Sequence, residues 1–267
     1  MKLLYCSLAA VLVLPLALAG AAADFDFFFH VQQVTVDPII VTLYPPVACI
    51  ITQRVRWLVA SVQWPGSYCD TRADRCCYPG NQKPAADFTI HGLWPNYADC
   101  RRGLLTPDAA TRCWPDYCNA TDPLNTSLIK DLESDLLRNW GTLSCRNRNA
   151  TAFWSHQWRR HGTCSGMDQH AYFRAALDFK ARFNLTRILA DAGVAPSRNE
   201  TYLLSSIEDA VTKATGSAPS VECNRNGRDE MELYQVFQCV GRDGRSPVHC
   251  PRRLESRCTD KVKFPAF

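Results

Sequence analysis

The sequence predicts an α+β fold, with helices packed on a central antiparallel sheet in one disulfide-rich domain. Segments rich in aromatic and β-branched residues alternate with amphipathic helical stretches, which is the pattern of that class. The 267 residues are 46% hydrophobic and 21% charged, which excludes a disordered chain and a membrane-embedded one. The 14 cysteines point to disulfides or metal, and the net charge of +4 permits an anionic substrate.

The apolar spacing places the elements along the chain. Helices are expected over residues 123–140, 153–161, 171–192 and 206–215, and strands over residues 87–91 and 232–240. Asn125 or Asp122 could cap the first helix. Gly193 ends the third helix, while Ser206 is a possible cap and Gly216 the end of the fourth.

The first residues have the form of a secretory signal. Lys2 precedes an apolar run over residues 3–18, and three alanines at 21–23 offer a cleavage site before Asp24. We therefore expect a signal peptide over residues 1–23 and a mature protein without a membrane span, secreted to the cell exterior or delivered to a vacuole. Five glycosylation sequons support that route: Asn119, Asn125, Asn149, Asn184 and Asn199.

The cysteines are expected to pair with one another and to bind no metal. Cys6 leaves with the signal, twelve cysteines lie between Cys69 and Cys258, and Cys49 is left over. Cys76 and Cys77 are adjacent and no pair of C-x-x-C knuckles exists, so a zinc site is disfavoured. The even set predicts six disulfides.

Three histidines occur in two compact aromatic segments, residues 88–95 (F-T-I-H-G-L-W-P) and 153–164 (F-W-S-H-Q-W-R-R-H-G-T-C). His156 and His161 are five residues apart with no Glu between them, which does not fit a metalloprotease helix. No nucleophilic serine signature is present, and the thiols are expected to be paired. The remaining chemistry is acid–base catalysis by imidazoles, which suits RNA because its 2′-OH is its own nucleophile.

Both segments closely resemble the two active-site motifs of the ribonuclease T2 family. Residues 64–70, 83–88, 170–173 and 233–236 are similar to its plant S-like, extracellular branch, so the resemblance runs from Trp64 to Phe267. It implies a secreted, monomeric endoribonuclease that needs no cofactor. Single-stranded RNA would be cleaved by transphosphorylation to 2′,3′-cyclic phosphates, which are then slowly hydrolysed to 3′-phosphates.

The resemblance also implies roles for individual residues. His91 matches the general acid, His161 the general base and His156 the histidine that holds the phosphate. Arg160 stands where the family has a lysine that stabilises the transition state, and it keeps the positive charge. The family's base-binding positions correspond here to Gln63, Trp94 and Phe153.

Gln157 departs from the family pattern, because it occupies the position of a glutamate. An amide can donate a hydrogen bond but cannot exchange a proton at ordinary pH. We expect an active enzyme slowed by about 10- to 100-fold relative to its Gln157→Glu variant. The alternative is a secreted storage or defence glycoprotein that has weak or no catalysis on the same scaffold.

The cysteine pairing is likewise implied by the resemblance. The expected pairs are Cys69–Cys76, Cys77–Cys145, Cys118–Cys164, Cys223–Cys258 and Cys239–Cys250. Cys100 and Cys113 lie outside the common plant pattern, and we expect them to bond to each other.

Residues 34–63 interrupt the resemblance within the N-terminal segment 24–63, ahead of the expected catalytic domain over residues 64–267. Removing them restores the family's first strand. A codon for Val34 begins with GT and a codon for Gln63 can end with AG, so the inserted coding sequence could begin with GT and end with AG. One hypothesis is therefore a retained intron that is translated in frame. The other is a genuine insertion, in which residues 57–63 serve as the first strand and Cys49 is a free thiol.

Overall fold

The computed structural model describes residues 32–36, 39–43, 55–70, 76–78, 83–98, 113–146, 149–251 and 256–267. The chain divides into two compact units, Met1–Thr52 and Gln53–Phe267. In the first unit, β1 (Gln32–Val36) pairs antiparallel with β2 (Ile39–Leu43). The expected signal peptide and Cys49 lie outside the described residues.

The second unit is built on a six-stranded sheet. Its strands are β3 (Val55–Gln63), β4 (Thr89–Tyr97), β5 (Thr201–Leu203), β6 (Ser220–Arg225), β7 (Met231–Val240) and β8 (Lys261–Lys263). The order is β4-β3-β7-β8-β5, and β6 also pairs with β7. All pairs are antiparallel except the short β7–β8 contact. The expected α+β class is confirmed.

Strand β3 is an interior strand of this sheet, between β4 and β7. Leu58, Ala60 and Val62 belong to the main core, while Trp57 and Val59 pack with residues of β7 on the other face. A strand buried on both faces needs a nearly continuous apolar run, which residues 57–62 supply. Residues 57–63 therefore lie where the insertion hypothesis places its first strand, and the transcript sequence remains the test of the intron hypothesis.

The described part of the second unit also contains six α-helices. They are α1 (Pro65–Cys69), α2 (Glu133–Asn139), α3 (Ala150–Arg160), α4 (Gln169–Arg182), α5 (Leu185–Asp191) and α6 (Leu204–Thr215). Short 3₁₀ helices precede α2 (Thr126–Leu132) and follow α3 (Gly162–Cys164). The main core contains buried aromatic rings from α3, α4 and the residue that follows β3, among them Trp64, Trp154 and Phe173.

The structure corrects the long helices that were expected from periodicity. The stretch 123–140 becomes a 3₁₀ helix followed by α2, with non-helical backbone at Ile129, and Asn125 rather than Asp122 caps it. The stretch 171–192 is two helices, because Asn184 accepts a hydrogen bond from the Arg187 N–H and starts α5. Gly193 follows α5 with a positive φ.

Strand β4 and helix α6 also differ from expectation. The strand expected over residues 87–91 runs from Thr89 to Tyr97. Ser206 does not cap α6, because the helix begins two residues earlier, at Leu204. The left-handed Gly216 ends this helix as predicted.

All five expected disulfide pairs that lie wholly within the described residues are formed. Cys113 is also disulfide-bonded, and its expected partner Cys100 lies outside the described residues. Cys118–Cys164 joins the loop after β4 to the segment that follows α3. This bond therefore fixes the end of the helix that carries the second histidine motif.

All five sequon asparagines are exposed. Three of them, Asn125, Asn149 and Asn184, begin helices by accepting a backbone N–H at Oδ1. A glycan is attached at Nδ2, so it would leave these capping bonds intact. Glycosylation and helix capping are therefore compatible at the same residues.

Candidate active site

Both histidine motifs line one pocket of about 380 Å³, which we call the charged pocket. Strand β4 contributes His91, Trp94 and Asn96, and strands β3 and β7 contribute Val59 and Phe237. The last turn of α3 and the residue after it contribute His156, Gln157, Arg160 and His161 to the lining of the pocket. Trp114 completes the lining. Two segments about 65 residues apart in sequence therefore meet at one site.

A β-bulge orients His91. In the β3–β4 register, Ser61 pairs with Gly92 and Val62 with Ile90, so His91 is the extra residue. Its carbonyl accepts a hydrogen bond from the Trp140 indole at 3.3 Å. The bulge therefore changes the alternation of side chains at the point where His91 and Trp94 both reach the pocket.

The residue after His91 must be a glycine, because two side chains pack directly against its Cα. A Cβ at Gly92 would collide with Nε1 of Trp94 and with Oε1 of Gln157. Those two atoms are themselves joined, because Trp94 Nε1 donates to Gln157 Oε1 at 3.1 Å. The absence of a side chain at Gly92 therefore permits the contact between the first motif and the second.

The end of α3 directs three cationic or titratable groups into the pocket. His156 and Arg160 are one helical turn apart, and His161 is the C-terminal cap, whose N–H donates to the Gln157 carbonyl. The Nε of Arg160 is buried without a partner, and this residue forms no ion pair with a carboxylate of the described residues. A guanidinium left in this way is well suited to bind a phosphate.

Gln157 is only 2% exposed, and its orientation is fixed. The indole N–H of Trp94 can only donate, so Oε1 of Gln157 must face it and Nε2 must face away. The Nε2 group makes no hydrogen bond with a described residue and is free to donate to a bound anion.

The electrostatics of the charged pocket follow from the lack of any carboxylate among its described lining residues. Burial and the neighbouring Arg160, His156 and His91 lower the pKa of His161 to about 3. Burial likewise lowers the pKa of His91, and burial together with Arg160 and Arg159 lowers that of His156. The pocket therefore favours the neutral imidazole of His161 and has a positive field suited to an anion.

A second set of polar side chains forms a chain of hydrogen bonds that ends at Nδ1 of His91. Its Nδ1 donates to Oε1 of Gln235 at 2.7 Å, and Ser61 Oγ donates to the same oxygen at 3.0 Å. Gln235 Nε2 in turn donates to Glu222 at 3.0 Å. Because the carboxylate must accept, the amide of Gln235 cannot turn over, so His91 carries a proton on Nδ1 and presents Nε2 to the site.

A smaller cavity of about 100 Å³, which we call the neutral pocket, lies on the other side of His91. It contains Gln63 and Phe153 together with Tyr68 and Tyr234, and it has no charged side chain among its described lining besides His91. The Phe153 ring lies 6.1 Å from the His91 ring, centroid to centroid. The expected base-binding residues are therefore divided, with Trp94 in the charged pocket and Gln63 and Phe153 in the neutral one.

Sequence reasoning missed several residues of the site: Ser61, Tyr68, Asn96, Trp114, Glu222, Tyr234, Gln235 and Phe237. Tyr68, Tyr234 and Gln235 fall within segments that carried the family resemblance, which is the one signal that could have found them. The others come from separate elements and belong to no catalytic motif in the sequence.

Two further observations concern the described residues. They contain no group of three or more His, Cys, Asp or Glu side chains able to hold a metal ion. No helix in the same part of the chain has both the length and the apolar character needed to cross a membrane.

Comparison with known proteins gives one consistent result. The Ribonuclease T2 family profile matches residues 55–250. Ribonuclease 1 of Arabidopsis thaliana is 38% identical over 98% of this chain and 96% of its own length. The extracellular ribonuclease LE of Solanum lycopersicum is 38% identical over 94% of this chain and 92% of its own. The crystal structure of RNase NT in complex with 5′-AMP covers 80% of this chain and 100% of its own, with 40% identity and a TM-score of 0.72.

Proposed function

The chain belongs to the ribonuclease T2 family and is an endoribonuclease, and we propose that it cleaves single-stranded RNA through a 2′,3′-cyclic phosphate. The single observation that carries this proposal is the position of His91 between the charged and neutral pockets. The scissile phosphate lies in the charged pocket, and the leaving nucleoside lies in the neutral pocket. A group on the shared wall can reach the bond that joins them.

His161 acts as the general base in the first step. Its depressed pKa keeps the imidazole neutral, so it can accept the proton of the 2′-OH while the 2′-oxygen attacks the phosphorus. His91 protonates the departing 5′-oxygen as the P–O5′ bond breaks. The products are a 2′,3′-cyclic phosphate and a free 5′-OH, and proton transfers in the opposite sense then allow water to open the ring more slowly.

Arg160 and His156 bind the phosphate and stabilise the charge that grows on its oxygens in the transition state. The support for this role is the buried, unpartnered Nε of Arg160 and the absence of any described carboxylate in the pocket. Gln157 adds a neutral N–H donor and holds the Trp94 indole. Trp94 and Trp114 provide aromatic surface for the base on the 5′ side of the cleaved bond.

The bases must be unstacked to enter two separate pockets, which is why we propose a single-stranded substrate. The extracellular relative and the exposed sequons support a route through the secretory pathway and glycosylation of the chain. A mass measurement before and after enzymatic glycan removal, on protein from the medium and from cells, tests both points.

The mechanism is tested by digesting RNA in excess EDTA and separating the products over time. We expect cyclic phosphates first and 3′-phosphates later, with no cleavage of a DNA of the same sequence because it lacks the 2′-OH. Direct formation of 5′-phosphates would contradict the mechanism. No turnover of RNA at any pH from 3 to 8 would favour the alternative of a non-catalytic glycoprotein, for which Gln157 is the supporting residue.

A further inference from the structure

A third cavity, which we call the distal cleft, adjoins the neutral pocket. It has a volume of about 530 Å³, within the range of ligand-binding pockets, and is larger than either pocket of the active site. Thr142 and Leu143 line both the distal cleft and the neutral pocket. The three cavities therefore follow one another, in the order charged pocket, neutral pocket, distal cleft.

This order gives the cleft a position relative to an RNA chain, on the basis of the proposed function. His91 protonates the 5′-oxygen of the leaving nucleoside, so the neutral pocket holds the nucleoside on the 3′ side of the cleaved bond. A chain that continues beyond that nucleoside passes Thr142 and Leu143 and enters the distal cleft.

The charge of the cleft suits a phosphodiester. Lys83 and Arg138 lie in its wall. Arg138 pairs with Asp135 on its own helix, whereas Lys83 ion-pairs with no carboxylate of the described residues, its ammonium lying 4.2 Å from the Phe267 ring centroid. The one carboxylate of the described lining, Asp87, is already neutralised by Lys180 at 2.6 Å and hydrogen-bonded by Thr186. The cleft therefore has a positive net charge.

The wall also offers an apolar surface for a base. Leu137 is 55% exposed, and it is one of five large hydrophobic side chains that the described residues leave exposed. Trp114, another of the five, lines the charged pocket. An exposed apolar side chain beside a cation offers a contact surface to a base that is not stacked on its neighbours.

We infer that the distal cleft is a binding subsite for the second nucleotide on the 3′ side of the cleaved bond, with Lys83 and Arg138 contacting its phosphate. The site recognises the backbone rather than the base sequence, since its two cations address the phosphate. It extends the RNA contact from the two nucleotides around the cleaved bond to a third.

The test uses short oligonucleotides with one ribonucleotide, in which all other sugars are 2′-deoxy, so that a single bond can be cleaved. One substrate has one deoxynucleotide on the 3′ side, a second has two on the 3′ side, and a third has one on each side. We expect the second substrate, with its 3′ extension, to have a kcat/KM about three- to tenfold higher than that of the first. The log–log salt dependence of kcat/KM should also steepen by about 0.7. The third substrate, which carries its extension on the 5′ side, should not show this gain.

The double variant Lys83→Gln, Arg138→Gln should lose this gain and leave cleavage of the two-residue substrate unchanged. The matched control is Arg187→Gln, Lys213→Gln, which removes the same net charge at exposed positions outside the three cavities. The control should keep the gain from the 3′ extension. A gain that survives in the double variant, or the lack of any gain in the unmodified protein, overturns the inference.

Binding of an all-deoxy trinucleotide, which cannot be cleaved, separates this inference from the proposed mechanism. The double variant should bind it three- to tenfold more weakly than the control pair, even if the protein has no turnover. Equal affinities in the two double variants would contradict the subsite. If the unmodified protein does not cleave the two-residue substrate, that result contradicts the proposed mechanism and leaves the subsite inference untouched.

Discussion

The two pockets that share His91 differ in charge and in how the chain builds them. The charged pocket takes most of its functional groups from two short segments, the bulge of β4 and the end of α3. The neutral pocket collects Gln63, Tyr68, Phe153 and Tyr234 from four different elements. The comparison indicates that the reacting groups come from two short segments, whereas the leaving nucleoside is recognised by side chains from four separate elements.

The largest effect should come from the charged pocket. His161→Ala removes the general base and should lower kcat by about 10²- to 10⁴-fold with little change in KM. Steady-state kinetics on a dinucleoside phosphate measures both constants. His170→Ala is the matched control, since His170 is paired with Asp131 outside both pockets and should be silent. Equal activity of the two variants would remove His161 from the mechanism.

The next largest effect concerns the charge of Gln157. Gln157→Glu keeps an acceptor for the Trp94 indole and adds a carboxylate to a pocket that has none among its described lining. We expect kcat/KM at the optimum pH to rise about 10- to 100-fold. Unchanged or reduced activity across the whole pH profile would show that the amide is not the cause of a slow enzyme.

The pH profile of kcat/KM shows in which direction the charge at position 157 moves the pKa values of the two histidines. In the unmodified protein, burial lowers the pKa of both His161 and His91, and Arg160 lowers that of His161 further, so the neutral base and protonated acid coexist only at acidic pH. We expect an optimum between the pKa of His161, about 3, and the ordinary histidine value of about 6.5. In Gln157→Glu an opposite charge favours imidazolium, so both limbs should move to higher pH, by about one unit. A profile that moves to lower pH, or does not move, would contradict this electrostatic account.

A smaller effect is expected in the neutral pocket. Phe153→Leu keeps the apolar volume of a buried residue and removes the aromatic face. KM for a dinucleoside phosphate should rise about tenfold because stacking of the leaving base is lost. Hydrolysis of a mononucleoside 2′,3′-cyclic phosphate has no leaving nucleoside and should be unchanged. An equal loss on both substrates would mean that Phe153 serves the charged pocket as well.

The smallest effect should come from the hydrogen bonds that link His91 to Gln235 and Gln235 to Glu222. Glu222→Leu removes the acceptor that fixes the Gln235 amide, and Glu222→Gln keeps one. We expect kcat to fall about threefold in the leucine variant, to recover in the glutamine variant, and KM to stay constant in both. Similar kinetics in the two variants would mean that the orientation of Gln235 does not depend on Glu222.

The sequence alone determined the fold class and the two histidine motifs, because a helix end or a strand places neighbouring residues in space by local geometry, as with His156 and Arg160 one turn apart. The left-handed end of α6 at Gly216 was predictable for the same reason. The five disulfide pairs that lie within the described residues were implied by the resemblance to the ribonuclease T2 family and not by local geometry.

Only the tertiary structure decided how the motifs meet. The bulge at His91 depends on pairing between β3 and β4, and the partner of its ring nitrogen, Gln235 of β7, lies 144 residues away in the chain. The helix expected over residues 171–192 was divided at Asn184 because a side-chain cap competed with helix continuation. Periodicity reports which face of an element is apolar, but contacts between distant elements depend on strand register and packing, which no short sequence window contains.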